Sequence, residues 1–188
     1  MTTTNELSSG QPPTNDDTRI IWVGEADIPR IMEIIKAAGD VHEGSYSREA
    51  IGRCLHDHSR IPLLAEDRTT KQALGFMIYE IMPDTDGGIL RLNQLIVAPQ
   101  ARRRGVGRQL LSEMKRELIA LWPMAQYIVN EWNLVGQLFL RSMGFLAKQT
   151  LSEGHDDYYL MVLDPRAQPI GEQHVQPSVR PSCQGSDH

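Results

Sequence analysis

The 188-residue chain holds only two cysteines, Cys54 and Cys183. Two are too few for a disulfide framework, and a reducing, cytoplasmic setting is expected. No basic segment followed by an apolar run stands near the N-terminus, so no secretory signal is expected. No apolar stretch is long enough to span a bilayer, so no membrane partner is expected. Positive charge is scarce too. Nineteen Lys and Arg against 24 Asp and Glu leave a formal net charge of −5, and the surface as a whole is not built for nucleic acid. No internal repeat is visible.

What is present begins inside two polar ends. Residues 1–17 are polar with paired Pro, and residues 166–188 are rich in Pro, Gln, Ser and Gly. Neither has apolar periodicity, and both read as disordered tails. Residues 18–165 suit one domain with a full core.

Within that domain strands are expected at 19–23, 61–66, 74–82, 89–97, 126–130, 145–150 and 158–163. Helices are expected after Asp27 and Ser47 as caps, with Gly39 stopping the first. A long helix reads from Val106, Leu110, Leu111 and Met114 to Leu118 and Leu121, ended by Pro123. A shorter one covers 134–143, closed by Gly144. Residues 40–46 read as a loop, and 84–88 and 152–156 as turns. Hairpins imply antiparallel pairs, and the strand–helix–strand passage at 92–130 implies a parallel crossover. The fold class is therefore α/β, a mixed sheet with helices packed on it.

The densest chemistry lies at 95–107. The apolar strand end Leu95-Ile96-Val97 passes through Pro99 into Arg102-Arg103-Arg104-Gly105-Val106-Gly107, where the long helix begins. Such a junction gathers free backbone N–H groups, the positive end of a helix dipole and guanidinium groups. That combination suits a phosphate better than it suits a merely solvated basic face.

These residues resemble a known family. Val97-Ala98-Pro99, Arg102-x-x-Gly105-x-Gly107 and Leu110-Leu111 resemble the acyl-CoA signature of the GCN5-related N-acetyltransferases. The run from Asn133 to Gly144-Phe145 resembles that family's Asn-to-Gly-Phe segment. Tyr46-Ser47 and Asp156-Asp157 with Leu160-Met161 resemble its bacterial ribosomal-protein alanine N-acetyltransferase branch. The resemblance implies a twisted, mostly antiparallel sheet in which two central parallel strands splay apart, flanked by helices. It implies acetyl-CoA as acyl donor, with no metal. Arg102, Arg103, Arg104, Gly105, Val106 and Gly107 would hold its pyrophosphate, Leu95, Ile96 and Val97 its pantetheine, and Asn133 would bond the pantetheine or position the second strand's exit. The partner would be a primary amine: a protein N-terminus, a lysine or a small amine. Family members occur as monomers and homodimers.

The family's acid and base positions fall on Ile128, Leu140 and Arg91, none of which can serve. Glu80, Glu131 and Tyr158 or Tyr159 are the remaining candidates for moving a proton, and strand alternation counts against Glu131. A rival expectation follows, a catalytically silent acyl-CoA-binding module. Cys54-x-His56-x-His58 matches no structural zinc spacing. His155-Asp156 reads as a polar turn before it reads as a catalytic dyad. Trp132 reads as core packing, or as a cover for the cofactor.

Overall fold

Among the described residues, seven extended segments pair into one sheet. They are β1 (Thr18–Trp22), β2 (Arg60–Asp67), β3 (Ala73–Met82), β4 (Ile89–Val97), β5 (Ala125–Asn130), β6 (Leu146–Glu153) and β7 (Asp156–Leu163). Their order is β1-β2-β3-β4-β5-β7-β6. Only the β4–β5 pair is parallel, and α3 (Val106–Leu121) supplies its crossover. The other helices are α1 (Ile28–Ala38), α2 (Arg48–His56) and α4 (Leu134–Ser142). This computed structural model describes residues 17–39, 47–83, 88–121 and 124–164. The expected tails, the 40–46 loop, positions 84–87, Pro123 and the side chains of Leu118 and Leu121 lie outside what is described.

Register divides the sheet into two faces. Arg60, Pro62 and Leu64 of β2 pair with Glu80, Ile78 and Phe76 of β3, and these with Arg91, Gln94 and Ile96 of β4. This face carries α1 and α2. Arg30 of α1 donates to Glu66 at 2.6 Å, and Arg60 donates to the Sγ of Cys54 on α2 at 3.2 Å. The other face carries α3. There Gly75 of β3 is forced by packing: a Cβ would come within 2.9 Å of the Ile96 carbonyl oxygen and 3.3 Å of Val106.

The periodic apolar positions fill the layers between. Ile31, Ile34 and Ile35 of α1, Ile51 of α2, and Val106, Leu110, Leu111 and Met114 of α3 are buried, as are Leu140 and Phe145. Each such side chain contributes roughly 1.5–3 kcal/mol relative to an exposed one. Ser47 caps α2 as expected, its Oγ accepting from the Ala50 N–H at 3.1 Å. Gly39 ends α1 at φ +73° and Gly144 follows α4 at φ +94°, both left-handed positions that favour glycine.

Two local expectations are corrected. Asp27 does not cap α1 through its side chain. Its carboxylate accepts from the Gly24 N–H at 3.1 Å and from Arg30 at 2.6 Å, so it closes the preceding turn and holds an arginine. The last turn is also shorter than 152–156. Glu153 pairs with Asp156, leaving only Gly154 and His155 at the tip. Gly154 at φ +66° supplies the left-handed backbone such a tight turn requires.

Candidate functional site

β4 and β5 pair only from Leu90 with Ala125 to Leu92 with Tyr127. Both then continue, β4 to Val97 and β5 to Asn130, without pairing to each other. The cause on β4 is a bulge at Asn93: Tyr79 pairs with Leu92, and the next β3 residue, Ile78, pairs with Gln94. A bulge bends and twists its strand. β5 meanwhile stays paired to β7 as far as Asn130 with Tyr158. Each strand thus follows its outer neighbour, and a gap opens along residues 93–97 of β4, where Leu95, Ile96 and Val97 had been expected to line a cofactor.

At the end of that gap the chain turns through Pro99–Ala101, a single 3-10 turn. Arg103 then adopts φ +63° and Gly105 φ +82°. The first α3-type bond outside the helix runs from the Gln109 N–H to the Gly105 carbonyl at 3.0 Å. Among the described residues, none of the backbone N–H groups of residues 103–108 donates to another backbone group. Two left-handed residues and a helix start therefore leave six successive N–H groups unpaired beside the gap. Arg102 and Arg104 fold back onto the turn, reaching the Val97 and Gln100 carbonyls at 3.4 and 3.3 Å. Arg103 and Arg108 are exposed. Gly107 lies against its surroundings, since a Cβ there would stand 3.4 Å from Phe139 and 3.5 Å from Val97. The fold thus brings residues 102–107 to the end of the β4 edge.

Asn133 stands at the start of α4, where the chain leaves β5. Its side-chain oxygen accepts from the Gly136 N–H at 2.8 Å, so it caps the helix. Its amide hydrogens remain for another group. Trp132 is not part of the core: it is 80% exposed, and Val135 three residues on is 78% exposed.

The α1/α2 side of the gap carries the proton-handling candidates. Glu80 lies between two guanidinium groups, 3.3 Å from Arg60 and 3.7 Å from Arg91. The guanidinium of Arg60 is held above its ordinary pKa, first by its bond to the Cys54 sulfur and also by the nearby Glu80 and Asp57 carboxylates, against the effect of burial. On the far side of the gap Ile128 and Tyr158 line a cleft with Leu151, Ser152 and Glu153. Tyr159 points to the opposite face, where it packs against the core. Leu140 is fully within the core, so the position the resemblance gives to a general acid does not face the gap. Glu131 follows β5 and bonds through its backbone, its N–H to the Asp157 carbonyl at 2.9 Å.

Among the described residues no three His, Cys, Asp or Glu come together as a metal-holding group. His56 instead lies 3.4 Å from Glu25, and His155 is exposed at the hairpin tip. No described helix is long and apolar enough to cross a membrane.

The Asn93 bulge, Gln94 and Leu151 were not expected at the site. A signal for the bulge exists in the sequence. Leu90 and Leu92 share one parity and Leu95 and Val97 the other, yet register puts Leu92 and Leu95 on the same face. That switch requires one extra residue.

Residues 57–146 match the family model of the acetyltransferase (GNAT) domain. No curated protein matches the sequence. Solved structures share the architecture. A GNAT-family structure from Desulfovibrio desulfuricans aligns at TM-score 0.70 and 18% identity, covering 78% of this chain and 98% of that one. The ribosomal-protein-S18-alanine N-acetyltransferase of Escherichia coli aligns at TM-score 0.66 and 18% identity, covering 82% and 97%. NAA60 of Arabidopsis thaliana, in complex with a bisubstrate analogue, aligns at TM-score 0.67 and 18% identity, covering 78% and 97%. At these identities the structural likeness is one of fold. The family match spans the bulged strand, the arginine turn and the helix after it, so residues 57–146 carry a GNAT acetyltransferase domain, the domain of acyl-CoA-dependent transferases.

Proposed function

We propose that this domain binds acetyl-CoA in the β4–β5 gap and transfers its acetyl group to a primary amine by direct attack. The run of unpaired N–H groups at residues 103–108 beside the splayed strands carries the reading. Those groups, the α3 dipole and the guanidinium groups of Arg102, Arg103 and Arg104 suit a pyrophosphate. The gap-facing edge of Leu95, Ile96 and Val97 offers strand-like hydrogen bonds to the pantetheine amides, and the Asn133 amide hydrogens stand at the other lip. The thioester then lies level with Gln94 and Ile128.

The amine enters from the α1/α2 face. Its nitrogen attacks the thioester carbon, the N–C bond forms, the C–S bond breaks and CoA departs as thiolate. Holding amine and thioester together supplies much of the acceleration. The amine's proton leaves through water to Glu80, the carboxylate one register step from Gln94 on the same face. Tyr158 serves as a wall of the cleft, and the thiolate needs no dedicated acid. Neighbours of this fold include enzymes named for a ribosomal-protein alanine and for spermidine, and both acceptors are primary amines.

Calorimetry with acetyl-CoA, followed by thiol release and product mass with N-terminal peptides, lysine peptides and polyamines, tests the proposal. Binding with turnover is expected. Ile128, Leu140 and Arg91 favour one rival, a silent acyl-CoA sensor, which would bind acetyl-CoA and acetylate none of the panel. Absence of acetyl-CoA binding would overturn both readings.

A further inference from the structure

We infer that the acceptor carries an apolar group beside its amine and that Ile128, Leu151 and Tyr158 recognise it. The inference rests on the acetyltransferase reading above and names the substrate class of that site. The three residues line a cleft of about 380 Å³ together with Ser152 and Glu153, a size that suits a small-ligand site. Register places the cleft. Tyr158 lies between Asn130 of β5 and Leu151 of β6, and Ile128 is two residues before Asn130 on the same face. The cleft therefore begins at the level of the gap and runs outward to the last hairpin.

Its chemistry is apolar where the amine arrives. Ile128 is 43% exposed in the middle of β5, an uncovered large apolar side chain inside a central strand. A second ammonium next to the reacting amine would meet Ile128, Leu151 and the Tyr158 ring. Two nearby described carboxylates are engaged: Glu80 is paired with Arg60 and Arg91, and Asp157 accepts from the Ser152 hydroxyl at 2.6 Å. Glu153 lines the outer end, opposite Asp156 at the hairpin tip and two residues beyond Leu151. The cleft thus favours an alkyl or aromatic group and offers little to a polyamine's inner charge. A peptide beginning with a large apolar residue and a free hydrophobic amine share this chemistry.

The test uses the full chain with acetyl-CoA and five probes: peptides identical except for Leu, Phe or Ala at the first position, phenethylamine, and spermidine. Acetyl-CoA affinity is measured alongside. The Leu and Phe peptides, phenethylamine, or all three are expected to exceed the Ala peptide and spermidine in kcat/KM by ten- to a hundredfold, the range one apolar group provides. Peptides leading would assign the source to polypeptide N-termini, and phenethylamine alone to free amines. Ile128→Glu should lower that preference at least tenfold and raise the rate with spermidine, with acetyl-CoA affinity unchanged. Equal kcat/KM for Leu and Ala peptides and phenethylamine, a wild-type preference for spermidine, or acetyl-CoA binding with no probe acetylated would each overturn the inference. Failure to bind acetyl-CoA would instead remove the reading beneath it.

Discussion

Glu80 of β3 and Arg91 of β4 are directly cross-strand partners, with Oε1 3.7 Å from Nη1. The resemblance places a base glutamate at Arg91. Here that strand carries a cation, and the carboxylate sits on the strand beside it, facing the same side. Water-relayed base catalysis is worth about a hundredfold at the low end of its usual range, so Glu80→Gln is expected to lower kcat about a hundredfold and to leave acetyl-CoA affinity unchanged. Wild-type kcat in Glu80→Gln would mean that the proton reaches bulk solvent without Glu80.

Asn133 has two separable roles. Its oxygen caps α4, and its amide hydrogens face no described partner. Asn133→Ala should cost about 1 kcal/mol of stability, the usual worth of such a cap. Asn133→Ser keeps a capping oxygen and loses the amide donors. It should melt near the wild-type temperature while binding acetyl-CoA more weakly. Equal affinity in Asn133→Ser and wild type would confine Asn133 to helix capping.

The parts that were legible in the sequence are those made by neighbours in the chain. An apolar run ending at Val97, a proline, arginines and two glycines specify strand, turn and helix start by local rules alone. The turn accordingly forms where expected, with Gly105 left-handed. The acceptor cleft is not local. It exists because Leu151, Tyr158 and Asn130 align across three strands, and that register depends on a bulge in β6 between Ala147 and Gln149. Trp132 misleads for a related reason. A tryptophan beside a helix cap suggests burial by its composition, but it follows the end of β5 and turns outward. Asp27 had two possible partners, and Arg30 three residues later draws its carboxylate away from the helix start.

The arginine turn separates charge from backbone geometry. Arg103 is exposed and left-handed at φ +63°, a conformation that costs a non-glycine residue roughly 1 kcal/mol. Arg103→Gly removes the guanidinium and relieves that conformation, while glycine's larger unfolded-state freedom offsets the gain. The melting temperature should barely move. Acetyl-CoA affinity should fall about tenfold, the scale of one charge-assisted bond, and the difference should shrink as salt is added. Gly105→Ala forces a Cβ into a left-handed position and should cost about 1 kcal/mol in stability. Unchanged affinity in Arg103→Gly at low salt would remove that side chain from the phosphate site.

Glu66 links the fold's stability to pH. It is the buried acid among the described residues, 2% exposed, and it joins β2 to α1 and β1 through Arg30 at 2.6 Å and Arg19 at 2.5 Å. Burial pushes its pKa up, but the bonds and charges of Arg30 and Arg19 outweigh burial, so the carboxyl titrates below its ordinary value. Because the folded pKa is depressed, the stabilisation is fully present above the unfolded glutamate value of about 4.3. It is lost as pH falls through the folded pKa. Removing one partner of a fully buried pair costs roughly 3–5 kcal/mol. Arg19 and Arg30 are 45% and 28% exposed and can turn to water, so Glu66→Gln should cost less, about 2 kcal/mol at neutral pH. Chemical denaturation at neutral pH and across the acid range checks both parts. The wild type should lose stability over the acidic end, and the variant should lose less there. Parallel curves for the two proteins would mean that the acid sensitivity arises elsewhere.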